Sequence, residues 1–246
     1  MEVHHHSHTE RKKWTHYFWE FLMLFLAVTL GFFVENQREH FVEHRREKQY
    51  VRSFLGDLKS DLVQLDSLVN ERMKRQRNMD SLSAILSTPD PDVYAKQVYY
   101  FSRPLTISYQ FFRNERTIQQ LKNGGNLRLI RNENVSNAIM LYDHQVRLTD
   151  LVANREQEYI LEYVKRIEEL FDTRVFSKMI TPEFAFKMPE DEELHLLKKD
   201  VMTIQLFLNK IHFLSSVNDY HLKVYRQLLD LAKQAKEIIE KEYSIK

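Results

Sequence analysis

The apolar positions of the chain form one solid run followed by several striped ones. From Phe21 to Val34 (FLMLFLAVTLGFFV) no residue is charged, although the run is shorter than the roughly 20 residues that cross a bilayer core. Trp14, Tyr17, Phe18 and Trp19 precede it and supply an aromatic collar of the kind that sits at headgroup level. As a helix, Tyr17 to Val34 spans about 27 Å, so the pattern predicts a transmembrane helix over 17–34. A signal-peptide core has a similar length and a basic lead such as Arg11-Lys12-Lys13, but Val34-Glu35-Asn36-Gln37 offers no small-residue cleavage site. The segment is therefore expected to remain as a signal anchor. A buried core helix is the other reading, and it fails because nothing later in the chain is apolar enough to surround such a segment.

Beyond the anchor the apolar period changes to three and four. After a charged neck at 35–50, Val51, Leu55, Leu58, Leu62, Leu65 and Val69 make the stripe of a packed helix, and Thr88-Pro89-Asp90-Pro91 ends it. A second, aromatic-rich helical stretch, interrupted near Pro104, is expected from about Val93 to Lys122. Asn123-Gly124-Gly125 is its C-cap signature, where glycine accepts the left-handed conformation. Leu127 to Ile130 links to a third helix, for which Asn132 or Asn134 is the N-cap. That helix carries the cleanest heptad: Val135, Ile139, Tyr142, Val146, Thr149 and Ala153, then Ile160, Tyr163, Ile167 and Leu170. A loop around Pro182 and Pro189 follows. The last helix is expected to begin near Glu192 and run almost to the C-terminus, its stripe interrupted by Ser215 and Asn218, polar residues that more often fix register than form a site.

Four helical segments without alternating strands predict an all-α fold: an N-terminal transmembrane helix followed by an elongated antiparallel helical bundle of about four helices. The chain then divides into a basic, His-rich tail (1–16), the anchor (17–34), the neck (35–50) and the bundle (51–246). The helix lengths place the Gly124-Gly125 turn partway along a stalk, and put the Pro89-Pro91 turn and the 173–191 loop at its distal tip. Lys plus Arg number 36 and Asp plus Glu 35, so no broad field for nucleic acid exists. Four glycines cannot build a dinucleotide fingerprint or a P-loop. With no cysteine, thiolate nucleophiles, iron-sulfur ligation and Cys-type zinc sites are excluded, and no cofactor is expected.

The anchor and neck, WEFLMLFLAVTLGFFVENQREHFVEHRREKQY (Trp19 to Tyr50), and the later string TIQQLKNGGNLRLIRNENV (Thr117 to Val135) resemble a bacterial family of single-pass membrane proteins known only as a domain of unknown function. The recognisable motifs cover about a third of the chain. The resemblance implies a bacterial envelope protein with an N-terminal anchor and a helical body, and it brings no activity, ligand or catalytic residue.

His40-Phe41-Val42-Glu43-His44 matches H-x-x-E-H, in which two His one helical turn apart hold zinc and Glu43 acts as base. The motif lies in the neck, where no pocket is expected, and no third ligand is identifiable, so a solvated helix face is the preferred reading. Glu35, Glu39, Glu43 and Glu47 with Arg38 and Arg46 read as an exposed, charge-paired face. A di-metal carboxylate bundle needs core Glu and His, and the core stripes are read as aliphatic. His4, His5, His6 and His8 on a tail bind metal without fixed geometry. Ser215, Ser216, Asp219 and His221 on one helix cannot converge as a triad. Tyr99, Tyr100, Phe101, Tyr109, Phe111 and Phe112 are a ligand pocket or core filling, the latter preferred. In the anchor, Glu20, Leu24, Ala27 and Gly31 share one face, and Ala27-x-x-x-Gly31 is a small-xxx-small pair suited to helix association.

These readings lead to a membrane-anchored, non-enzymatic interaction or scaffold protein of the bacterial envelope, partnered by the bilayer and by its own copies or other envelope membrane proteins. Basic residues 11–13 on the short side place the N-terminus in the cytoplasm and the body in the periplasm. The alternatives are a ligand-sensing domain of the four-helix type and a metal-dependent hydrolase built on His40, Glu43 and His44.

Overall fold

The computed structural model describes residues 14–191 and 193–245. The tail histidines His4, His5, His6 and His8 and the basic residues Arg11, Lys12 and Lys13 lie outside the described residues, as does Glu192. Helix α1 runs Trp14–Leu86. Chain contacts divide the molecule into a first unit, Met1–Gln49, and a second, Tyr50–Lys246.

The described part of the first unit is α1 alone. It contains a window long and apolar enough to cross a membrane, and none of that window is buried by protein. Its apolar side chains gain no shielding from the fold. In the charged neck Arg38 pairs with Glu35 at 2.6 Å, both exposed, but Glu47, expected on the same exposed face, is buried, so the reading of the whole Glu35–Glu47 row as solvated is corrected at that position.

The second unit is a four-legged helical body, three legs of which are long helices: α1 from Tyr50 onward, α4 (Glu133–Leu170) and α6 (Val201–Tyr243). Asp61 meets Tyr142 and Arg72 meets Glu156, so α1 and α4 run parallel. Asn132 meets Glu242 and Lys210 meets Glu162, so α6 is antiparallel to α4. Asn132 caps α4 by accepting from the Val135 N–H, as expected. The Asp92 carboxylate takes hydrogen bonds from the Leu196 N–H at 2.8 Å and the Lys199 ammonium at 2.9 Å, which brings the Pro91 turn and the segment before α6 to the same end.

The second leg corrects the expected helix over Val93 to Lys122. It is a 3-10 turn (Pro91–Tyr94), α2 (Ala95–Ser102), a second 3-10 turn (Arg103–Thr106), an irregular stretch at 108–115 and α3 (Arg116–Asn123). Pro104 lacks the N–H a continuing helix needs, and the backbone beyond it is satisfied by side chains of α1 instead. Gln64 accepts from the Phe112 N–H and donates to the Phe112 carbonyl; Asp61 accepts from the Asn114 N–H at 3.0 Å; Asp57 accepts from the Thr117 N–H and hydroxyl. Asp61, buried by this pairing, has its pKa raised by desolvation, against the hydrogen bond from Tyr142.

Gly125 has φ +61, the left-handed position assigned to this turn, and Asn126 ties it to the Tyr50 hydroxyl, partway along α1. Two further boundaries differ from expectation. The 173–191 loop holds a short helix, α5 (Thr173–Lys178), and a small hairpin closed by the Ile180–Phe186 bridge. Helix α6 starts at Val201 rather than near Glu192, with Asp200 as its N-cap.

Candidate functional site: a buried polar layer and the cavity beside it

Two apolar cores fill the second unit. One gathers Val51 to Val69, Phe111 to Val146 and Tyr225 to Ile239; the other gathers Met79 to Leu105, Ile160 to Met179 and Leu196 to Leu214. Between them, α1 contributes Arg72 and Arg75, α4 contributes Glu156, and α6 contributes Asn218 and His221, all buried. Each occupies a position that an apolar residue holds one heptad away. On α1 the stripe reads Leu65, Leu68, Arg72, Arg75, Met79, Leu82; on α4 Thr149, Ala153, Glu156, Ile160; on α6 Ile211, Leu214, Asn218, His221, Tyr225. The expectation of purely aliphatic core stripes is therefore corrected.

Glu156, 1% exposed, is the hub. The Arg72 guanidinium donates to both its oxygens, the second at 2.8 Å, and the Ser108 hydroxyl donates at 3.0 Å. Burial opposes its charge, but His221 and Arg72 outweigh burial and hold its pKa well below the usual carboxylate range. Arg72 also donates to the Tyr109 carbonyl at 2.6 Å. Arg75 donates to three carbonyls of the broken leg, Pro104 (3.1 Å), Leu105 (3.0 Å) and Ile107 (2.8 Å). Asn218 donates to the Arg72 carbonyl and to Gln76, which in turn reaches Ser215. The two polar interruptions noted in the last stripe thus belong to one network.

His221, 0% exposed, stacks on the Tyr225 ring at 5.5 Å and places Nδ1 3.4 Å from Glu156 Oε2. Neither ring nitrogen reaches hydrogen-bond geometry. Desolvation lowers its pKa, against the pull of Glu156.

Arg75 is also the edge of a cavity of about 290 Å³ bounded by α1, the broken leg and the 180–186 hairpin. The aromatic stretch divides between packing and this space. Tyr99 and Phe111 are core; Tyr100 and Tyr109 line the cavity; Phe112 is exposed.

The other sequence candidates lie on the first unit's helix. His44 Nδ1 pairs with Glu47 at 3.0 Å, and His40, Glu43 and His44 share one helix without a further converging ligand; among the described residues no group of three His, Cys, Asp or Glu is placed to hold a metal. Glu20 pairs with His16 at 3.0 Å, and Gly31 has open space where a Cβ would lie. Compared with known proteins, the chain matches no family model, no curated protein and no solved structure.

Proposed function

We propose that the chain is a membrane-anchored, non-enzymatic helical interaction protein of the bacterial cell envelope, held beside copies of itself through its anchor. The observation that carries this reading is the apolar stretch of α1, which the protein itself leaves entirely uncovered. Lipid covers most of such a surface, but Glu20, Leu24, Ala27 and Gly31 form a face where a second helix fits better: Ala27 and Gly31 let backbones approach, and an ionisable residue in a membrane helix faces protein more often than lipid. The body supports the same reading. A general acid or base must come within hydrogen-bond reach of its substrate, whereas Glu156 and His221 are sealed among protein atoms. The body also leaves Val93, Tyr94, Leu197, Val201 and Met202 exposed at the end that Asp92 ties together. The bacterial setting rests on the family resemblance, and the cytoplasmic N-terminus rests on Arg11, Lys12 and Lys13.

The test is an in-membrane association assay on residues 10–40, comparing the natural segment with Gly31→Leu and Glu20→Leu. Both substitutions are expected to weaken self-association. A monomeric natural segment, or association indifferent to both changes, overturns the reading.

A further inference from the structure

The cavity beside Arg75 has features that packing does not explain. Its α1 wall presents Glu71, Lys74 and Asn78 at i, i+3 and i+7. Glu71 and Lys74 carry opposite charges at a spacing where helical side chains ordinarily pair. Among the described residues, however, neither makes an ion pair or a hydrogen bond. The facing wall is aromatic: Tyr100 and Tyr109 from the broken leg, Phe184 and Phe186 from the hairpin.

The hairpin is built to hold those rings in place. Thr181 accepts at its carbonyl from the Phe184 N–H and donates its own N–H to the Ala185 carbonyl, both at 2.9 Å. The Arg103 guanidinium sits 5.4 Å above the Phe186 ring. Phe184 has φ +60, a left-handed backbone that bulky residues rarely adopt, and the residue is 87% exposed. An aromatic ring held in strained backbone and left in water is not there for core packing.

We propose that this cavity binds a small zwitterion of the α-amino-acid class with an aromatic or branched side chain, its ammonium on Glu71, its carboxylate on Lys74 and its side chain among the four rings. A volume of about 290 Å³ lies at the lower limit of small-molecule sites, roughly 300–1,000 Å³, which suits a single amino acid and excludes a nucleotide. A site with one free carboxylate and one free ammonium a helical turn apart matches a ligand carrying both charges; an anion alone leaves Glu71 facing it. The Tyr109 carbonyl and Arg75 belong to both the cavity and the polar layer, so occupancy bears directly on the network between the two cores. The inference is independent of the anchor reading and survives or fails without it.

The experiment is titration calorimetry on the full chain in detergent micelles, with L-phenylalanine as the probe and phenylacetate and phenethylamine as single-charge analogues. L-phenylalanine is expected to bind, with each analogue at least about tenfold weaker, a loss of about 1.4 kcal/mol. Glu71→Gln and Lys74→Met are each expected to weaken it about tenfold or more while leaving the melting temperature of the free protein unchanged, which separates lost contacts from lost folding. Phe184→Ala is expected to weaken L-phenylalanine as well. The proposal is overturned by no binding at about 10 mM L-phenylalanine, a Kd above the millimolar range. It is also overturned by an analogue that binds as tightly as L-phenylalanine, or by well-folded Glu71 and Lys74 variants that bind normally.

Discussion

Removing the charge of Glu156 exposes what the polar layer contributes. Arg72 is fully buried and Arg75 nearly so, and among the described residues Glu156 is the only carboxylate that either approaches, Arg75 at 3.8 Å. In Glu156→Gln the backbone and volume are kept, but two guanidinium groups are left in a low-dielectric layer without a counter-charge. Breaking a buried pair from one side costs about 3–5 kcal/mol. For a domain of this size each kcal/mol moves the melting temperature by about 2–4 °C, so a fall of roughly 6–20 °C is expected. Arg72→Met should cost a similar amount for the opposite reason, leaving Glu156 with Ser108, His221 and the more distant Arg75, and the Tyr109 carbonyl without its donor.

The double variant distinguishes pairing from mere polarity. Arg72→Met with Glu156→Met removes the close pair and fills the space with apolar atoms, leaving the Tyr109 carbonyl unmet, a loss of about 1–3 kcal/mol, and Arg75 without its more distant counter-charge. Its destabilisation should therefore be smaller than the sum of Arg72→Met and Glu156→Met made singly by about 2 kcal/mol or more. Thermal unfolding of the full chain in detergent, followed by circular dichroism at 222 nm, reads all four variants. A Glu156→Gln protein that melts within about 2 °C of the parent, under 1 kcal/mol, or a strictly additive cycle, refutes the reasoning.

The remaining predictions address the turn, the cap, acid stability and the anchor. Gly125→Val should lower stability by about 1–2 kcal/mol, since a β-branched residue does not adopt φ +61 cheaply; Gly124→Ala should also destabilise, because its Cβ would lie 2.9 Å from the Gln120 carbonyl oxygen. Both are read from melting temperature. Asn132→Ala should cost about 1 kcal/mol by removing the α4 cap. His221 has a lowered pKa in the folded state, so the unfolded chain binds the proton first; stability should fall as pH drops below the unfolded value of about 6.5. Glu156, also lowered, supplies stability that is present above the ordinary carboxylate pKa and lost as pH falls through its folded value. His221→Phe should flatten the pH 7 to 5 part of the melting profile and leave the more acidic part. Deleting 14–34 should move the chain from the membrane to the soluble fraction after ultracentrifugation.

The long apolar helical stretch was legible because it is an unbroken uncharged run, and the third leg was legible because its heptad is almost unbroken. That heptad, however, passes from Ala153 to Ile160 with one position missing, and the missing position is Glu156. On α1, the stripe Val51, Leu55, Leu58, Leu62, Leu65, Val69 follows only one edge of the buried arc. The neighbouring stripe, Phe54, Leu58, Asp61, Leu65, Leu68, Arg72, Arg75, Met79, Leu82 and Leu86, is buried along its whole length. A charged residue at helical spacing reads as solvent-facing, and only its place between apolar heptad neighbours on both sides signals otherwise. Arg72, Arg75, Asn218 and His221 carry that signal on both sides, and Glu156 carries it only through Tyr163 because Thr149 stands a heptad before it, but nothing in the sequence aligns the three helices so that the interruptions fall at one level.

The broken second leg and the buried arginines explain one another. The second 3-10 turn and the irregular backbone after it, up to Arg116, leave most of their carbonyls without a helical partner, and a buried carbonyl without a donor costs about 1–3 kcal/mol. Guanidinium groups answer that need because each offers five donors in a fixed plane: Arg75 reaches three carbonyls and Arg72 a fourth. Two buried cations then require an anion, and Glu156 enters from α4. Had the second leg been a continuous helix, its carbonyls would be spent internally, Arg72 and Arg75 would have no acceptors there, and an apolar residue at each position would pack better. The polar layer therefore follows from the break in the leg, and the break leaves the space in which the cavity lies. A variant that restores helix across 108–115 should close the cavity and strand both arginines, making a stronger local helix former the more damaging change to the whole.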